Sequence, residues 1–203
     1  MRVLVDARPA NAHFKPPPST ELSSAAALGD TWVCPSPDQD PNDSLWSTAC
    51  DIKDYFYRLG LPEELQEYFG LRPVDPRLLK SPLAREWVES GCHEVVPLFT
   101  CCHMCLSWSL HIAQKVHEHL FVGDKELKDV AMSSVRRPAT KLYGDRVVGY
   151  AYVDDNGLVG FNAGHLGHLH EKFAMRSVET GLYVNLEKSH GPQTESIKFG
   201  LPC

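Results

Sequence analysis

The stretch Val147-Val148-Gly149-Tyr150-Ala151-Tyr152-Val153-Asp154-Asp155-Asn156-Gly157-Leu158-Val159 decides how the chain is read. Strand formers run up to Val153 and resume at Leu158, and Asp154-Asp155-Asn156-Gly157 between them is turn chemistry. The pattern predicts a β-hairpin with two adjacent carboxylates at or near its tip. Neighbouring carboxylates repel, which raises the pKa of at least one unless a cation intervenes. A divalent metal removes that conflict, and Mg²⁺ prefers carboxylate oxygens. On these residues alone two readings stay open: an acidic hairpin turn, or half a metal site that needs a third carboxylate.

The chain has 203 residues, enough for one large domain or two small ones, and 43% of them are hydrophobic, which supplies a sizeable core. It contains no run of eighteen apolar residues, so no transmembrane helix is expected. Met1-Arg2-Val3-Leu4-Val5-Asp6 lacks the apolar core of a signal peptide. Seven cysteines, three of them crowded into Cys101-Cys102-His103-Met104-Cys105, do not suit a regular disulfide scaffold. An intracellular compartment, cytoplasm or nucleus, is the expectation. The net charge of -6 argues against a simple basic nucleic-acid binder. A carboxylate cluster that holds cations would account for several of those charges and reverse its own local field.

Working outward, residues 2–8 read as a strand whose Arg2 and Arg8 either grip phosphate or pair with Asp6. Pro16-Pro17-Pro18 is a stiff link, residues 19–28 read as a short capped helix, and residues 34–44 as a loop. Residues 45–51 have strand character and end on Asp51, and a carboxylate at the mouth of a buried strand needs a partner. Pro62-Glu63-Glu64-Leu65 is a helix start. Residues 94–99 read as a strand and residues 107–120 as a helix with Leu110, Ala113, Gln114, His117 and Leu120 on one stripe. Arg136-Arg137-Pro138 follows in a loop. Leu166, Leu169, Phe173 and Val178 mark an amphipathic helix over 164–180, stopped by Gly181. Residues 183–186 and 197–201 close the pattern as short strands. The fold class expected is α+β, an antiparallel sheet with helices on one face.

Several of these stretches, in this order, resemble the polymerase domain of reverse transcriptases from retroviruses and long-terminal-repeat retrotransposons. Asp51-Ile52-Lys53-Asp54-Tyr55-Phe56 resembles the family's first carboxylate motif, and Tyr152-Val153-Asp154-Asp155 matches its Tyr-x-Asp-Asp box. Residues 181–189 resemble the segment carrying a later lysine, Ile197-Lys198-Phe199-Gly200 the start of the primer-grip hairpin, and residues 2–11 the end of the fingers hairpin. The box alone is weakly specific; five segments in order are strong.

The resemblance implies a right-hand polymerase palm with part of the fingers: residues 1–44 partial fingers, 45–60 and 91–203 mainly palm, and 61–90 a fingers-like insertion. It implies an RNA-directed DNA polymerase that adds dNTPs to a primer 3′-hydroxyl on an RNA or DNA template. Asp51, Asp154 and Asp155 would hold two Mg²⁺ ions, with Mn²⁺ as a substitute, and Asp155 is the weaker ligand in such sites. Lys188 matches the candidate general acid. Arg2, Ile52, Phe56, Met104 and Cys105 fall at nucleotide-binding positions, and Tyr152, Phe199 and Gly200 at primer or template positions.

The departures are specific. Cys105 stands where the family has a glycine that lets backbone approach the incoming nucleotide. A fingers lysine, a thumb and an RNase H region are not seen, so a truncated copy is expected. One rival is an inactive retroelement remnant that at most binds nucleic acid. Another is zinc held by Cys101, Cys102, His103 and Cys105 with His165, His168 or His170, although adjacent cysteines suit tetrahedral closure poorly. Nothing in the sequence sets an oligomeric state.

Overall fold

The computed structural model describes residues 6–34 and 44–194. In chain order its elements are α1 (Arg8–Asn11), α2 (Ala25–Gly29), β1 (Trp32–Val33), β2 (Trp46–Asp51), α3 (Tyr55–Arg58), α4 (Glu63–Gln66), α5 (Pro82–Glu89) and α6 (Ser109–Val122). There follow β3 (Ala131–Met132), β4 (Lys141–Leu142), β5 (Val148–Tyr152), β6 (Asp155–Gly160), α7 (Ala163–Glu179) and β7 (His190–Gln193). Two compact units arise, one of residues 1–16 and 56–109 and the other of residues 17–55 and 110–203.

The larger unit is built on a five-stranded sheet in the order β3-β5-β6-β2-β7. The β5–β6 hairpin is its centre, and β2 runs antiparallel to β6 from Trp46 opposite Gly160 to Asp51 opposite Asp155. β7 joins the far edge of β2 antiparallel, whereas β3 lies parallel to β5. The sheet is therefore mixed, with one parallel pair where an all-antiparallel sheet was expected. β1 and β4 form a separate parallel pair.

α7 begins at Asn162, whose side chain accepts from the His165 N–H, and ends before Gly181 at φ 81°, a backbone shape that costs glycine little. Its Leu166, Leu169 and Phe173 are buried, and it packs on β2, β6 and β7. The expected fourth member of that stripe, Val178, is exposed. Ser177 takes the buried place instead, because Phe173 and the residue four later share a face and the Ser177 hydroxyl can bond the Phe173 carbonyl. α6 joins α7 through rings: Phe173 lies 5.4 Å from His117 and 4.9 Å from Phe121.

The hairpin turn is displaced from its expected place. Val153 and Asp154 form the turn, and Asp155-Asn156-Gly157 belong to β6. Gly157 is needed for approach rather than for turning, since a Cβ there would meet the Thr48 carbonyl oxygen and the Tyr150 ring.

Several local expectations fail for nameable reasons. No strand covers 6–8: Arg8 opens α1 and pairs with Asp6 at 2.7 Å on the surface. The helix expected at 19–28 begins only at Ala25, where Ser24 accepts from the Ala27 N–H. The strand expected at 94–99 is reduced to isolated bridges at Val95 and Leu98; Pro97 inside it has no N–H to donate. Residues 183–186 make one bridge, Val184 to Ile52. α5, β3, β4 and β7 were not anticipated. Residues 2–5 and the strand expected at 197–201 lie outside the described residues.

In the smaller unit, Phe14 stacks on Phe69 at 5.9 Å, and His103 sits between Phe69 and Phe99. The Asn11 side chain donates to the Cys105 carbonyl and accepts from the Ser107 N–H.

Gly157→Ala is expected to destabilise the larger unit by about 1–3 kcal/mol or more, because backbone and a packed ring cannot yield to the added methyl. Urea unfolding of the variant beside the wild type measures it.

Candidate functional site

Asp51, Asp154, Asp155 and Lys188 meet at one end of the larger unit's sheet. Asp51 ends β2 directly opposite Asp155, the first residue of β6. The Ile52 N–H donates to the Asp154 carbonyl at 2.9 Å, which carries the contact one residue past the ladder. Asp51 is buried, Asp154 half-buried and Asp155 exposed.

The segment after α7 closes the other side. The Asp51 N–H donates to Ser189 Oγ at 3.0 Å, and its carbonyl accepts from the Asn185 N–H at 2.8 Å. The Asn185 carbonyl in turn accepts from the N–H groups of Lys188 and Ser189. This turn delivers Lys188 Nζ to 3.3 Å from Asp51 Oδ2. Burial pushes the neighbouring Cys50 thiol up to about 11, against hydrogen bonds from Ser189 and Asn156, so it is no nucleophile at neutral pH.

The carboxylates conflict. Loss of water around the Asp155 carboxyl, then repulsion from Asp154 and Asp51, push it up to about 6, with Lys188 opposing. The hydrogen bond between the Asp51 and Asp155 side chains acts in the same direction, because it needs a proton on one of them.

The tip is held from beneath. Val153 has φ 56°, a left-handed shape that costs a β-branched residue about 1–3 kcal/mol and persists only where its surroundings impose it. Gln114 imposes it by accepting from the Val153 N–H at 2.9 Å and donating to the Ala151 carbonyl at 3.1 Å. His117 Nδ1 lies 2.6 Å from the Val153 carbonyl. A carbonyl only accepts, so Nδ1 carries the proton. Nε2 is buried without a partner, and burial pulls the imidazole down to about 4, so the ring is neutral.

These two residues are visible in the sequence only as polar members of an otherwise apolar stripe. That is itself a signal, since a buried amide or imidazole needs hydrogen-bond partners. Ser189 and Asn185 left no signal, because they act on the Asp51 backbone.

The other expected site residues distribute as follows. Ile52 is buried beside Asp51 as the bridge to Val184, and Tyr152 stands exposed at the end of β5. Phe56, Met104 and Cys105 belong to the smaller unit: Phe56 is half-buried in α3, Met104 exposed and Cys105 half-buried. Arg2, Phe199 and Gly200 lie outside the described residues.

The donor set suits Mg²⁺ in kind: three carboxylates brought to adjoining backbone positions. In arrangement they are turned to one another and to Lys188. Among the described residues no three His, Cys, Asp or Glu side chains gather so as to hold a metal ion, at the carboxylates or at Cys101–Cys105. Cys102 and His103 are instead buried within the smaller unit. No helix among the described residues is long and apolar enough to cross a membrane. A scan against protein-family models matched none, and a search of curated proteins found no match.

Two pH dependences follow, with opposite signs. The folded pKa of His117, about 4, lies below its ordinary 6.5, so the folded state binds fewer protons between those values. Stability is therefore lost as pH falls from 6.5 through 4, by about 3 kcal/mol at the low end. His117→Phe is expected to lose stability at pH 7, with its hydrogen bond to Val153 gone, yet to lack this slope in urea titrations from pH 4 to 7.

Asp155 behaves oppositely. Its folded pKa is raised from 3.8 to about 6, so its stabilising contribution is present below 3.8 and lost as pH rises through 6. Asp155→Asn is expected to melt higher than the wild type at pH 7 in EDTA, and the margin to vanish near pH 4.

Proposed function

We propose that this chain is the fingers–palm part of an RNA-directed DNA polymerase of the retrovirus and long-terminal-repeat retrotransposon type. The observation that carries this reading is the pairing of Asp51 with Asp155. Two carboxylate motifs about a hundred residues apart in sequence are set side by side by strand register, with Lys188 delivered to the same edge. An acidic hairpin turn alone needs none of this convergence.

Two Mg²⁺ ions held by Asp51, Asp154 and Asp155 would supply activation of a primer 3′-hydroxyl and neutralisation of the incoming triphosphate. The chain's own groups have separable tasks. Asp51 is a fixed carboxylate, its backbone bonded on both sides. Asp154 and Asp155 are aimed by the turn that Gln114 and His117 hold. Lys188 brings a mobile ammonium, suited to giving a proton to a leaving phosphate oxygen. Tyr152, exposed beside the carboxylates, is placed for a primer terminus. Arg2, Phe56, Met104 and Cys105 would meet the nucleotide, and Phe199 and Gly200 the primer. Partners would then be template, primer and dNTPs.

A second reading, an inactive remnant that at most binds nucleic acid, is favoured by one residue. Cys105 places a side chain where the resemblance calls for none.

Primer extension on an RNA template with Mg²⁺ tests both. The expected outcome is extension by the wild type and a loss of at least a hundredfold in Asp154→Asn, the scale on which removing one group that stabilises transition-state charge acts. Equal, absent extension from folded wild type and from Cys105→Gly would leave the remnant reading.

A further inference from the structure

The carboxylates carry an internal cation, and its placement is the unexplained feature of the site. Lys188 Nζ lies 3.3 Å from Asp51 Oδ2. The partners differ in freedom: the Asp51 side chain is 10% exposed and the Lys188 side chain 63%. Asp51 cannot move without breaking its backbone bonds to Ser189 and Asn185, and it is costly to leave buried and unpaired. Lys188 can leave Asp51 by swinging its stem into solvent. Its backbone stays tethered, because its N–H remains bonded to the Asn185 carbonyl. An ammonium and a divalent cation cannot both take the same carboxylate oxygen at bonding distance, and the divalent ion carries twice the charge.

We propose that Lys188 is the resident counter-ion of the carboxylate cluster, pairing with Asp51 while no divalent cation is bound and yielding it when one binds. This rests on the reading of Asp51, Asp154 and Asp155 as a metal-binding set. It accounts for carboxylates of the right kind that are turned to each other and to Lys188 rather than to a common point. Lysine occupancy keeps Asp51 neutralised and ordered without metal. Metal entry then releases the ammonium at the same edge, so loading the site and freeing Lys188 are one event.

The test is a Mn²⁺ titration of the full chain, followed by the EPR signal of the free ion, with thermal melting in EDTA alongside. Variants are Lys188→Met, Asp51→Asn and Lys172→Met. The last removes the same charge from α7, where Lys172 pairs with Glu126. Lys188→Met is expected to melt lower than wild type in EDTA and to bind Mn²⁺ about three- to tenfold more tightly. That range is the competition an exposed lysine can offer. Lys172→Met should bind as the wild type does.

Mn²⁺ affinity in Lys188→Met that is unchanged or weaker, while Asp51→Asn abolishes binding, overturns the counter-ion and leaves the metal site standing. Equal tightening in Lys172→Met also overturns it, since general charge would then be the cause. Binding that survives Asp51→Asn, or is absent from the folded wild type and Lys188→Met alike, overturns the metal-site reading and the counter-ion with it.

Discussion

Asp51 facing Asp155 across the β2–β6 ladder is the constraint on which the site depends. Like charges set opposite each other in a sheet destabilise it, so the pairing survives only if the rest of the unit over-determines the register. The ladder does so from its other end. Ser47, Thr48 and Ala49 are matched to Val159, Leu158 and Gly157, and Gly157 leaves no room for a slip past the Thr48 carbonyl and the Tyr150 ring. A one-residue shift would turn Leu158 off the core side. Core packing therefore holds two carboxylates in a place they would not choose.

The same logic extends to the tip. Val153 occupies a backbone region that valine avoids, and nothing in the hairpin itself compensates. Compensation comes from α6, where an amide and an imidazole replace apolar residues in the stripe. Both are satisfied by the turn, His117 at one nitrogen only. The rings of Phe121 and Phe173 around His117 keep it neutral, so the clamp relies on a proton at Nδ1 and none at Nε2. Repulsion at the carboxylates and strain at Val153 are thus borne by one unit whose core is otherwise regular.

Legibility in the sequence followed the physics of each element. β2, β5, α6 and α7 were readable because each buries one face, and burial writes a period of two or 3.6 into the residue types. Asp51 was readable as a charge ending an apolar run. The Asn156-Gly157 pair misled, because its glycine serves a close approach and its turn chemistry is overridden by pairing with β2. Val178 misled because a period of 3.6 places residue 177 as close to the buried face as residue 178, and only contact with the neighbouring elements chooses. β3, β4 and β7 are short and polar or irregular, and exist because a neighbouring strand edge offers them partners.

By itself, then, the sequence determined the mixed helix-and-strand character, the hairpin, the two carboxylate motifs and the later lysine, since each is written in local pattern or in residue type. The tertiary structure alone decided that Asp51 opposes Asp155, that Gln114 and His117 hold Val153, and that Ser189 and Asn185 bring Lys188 to Asp51. Those are relations between segments far apart in the chain. Strand register and the packing of α6 and α7 set them, and neither leaves a local trace in the residues it joins.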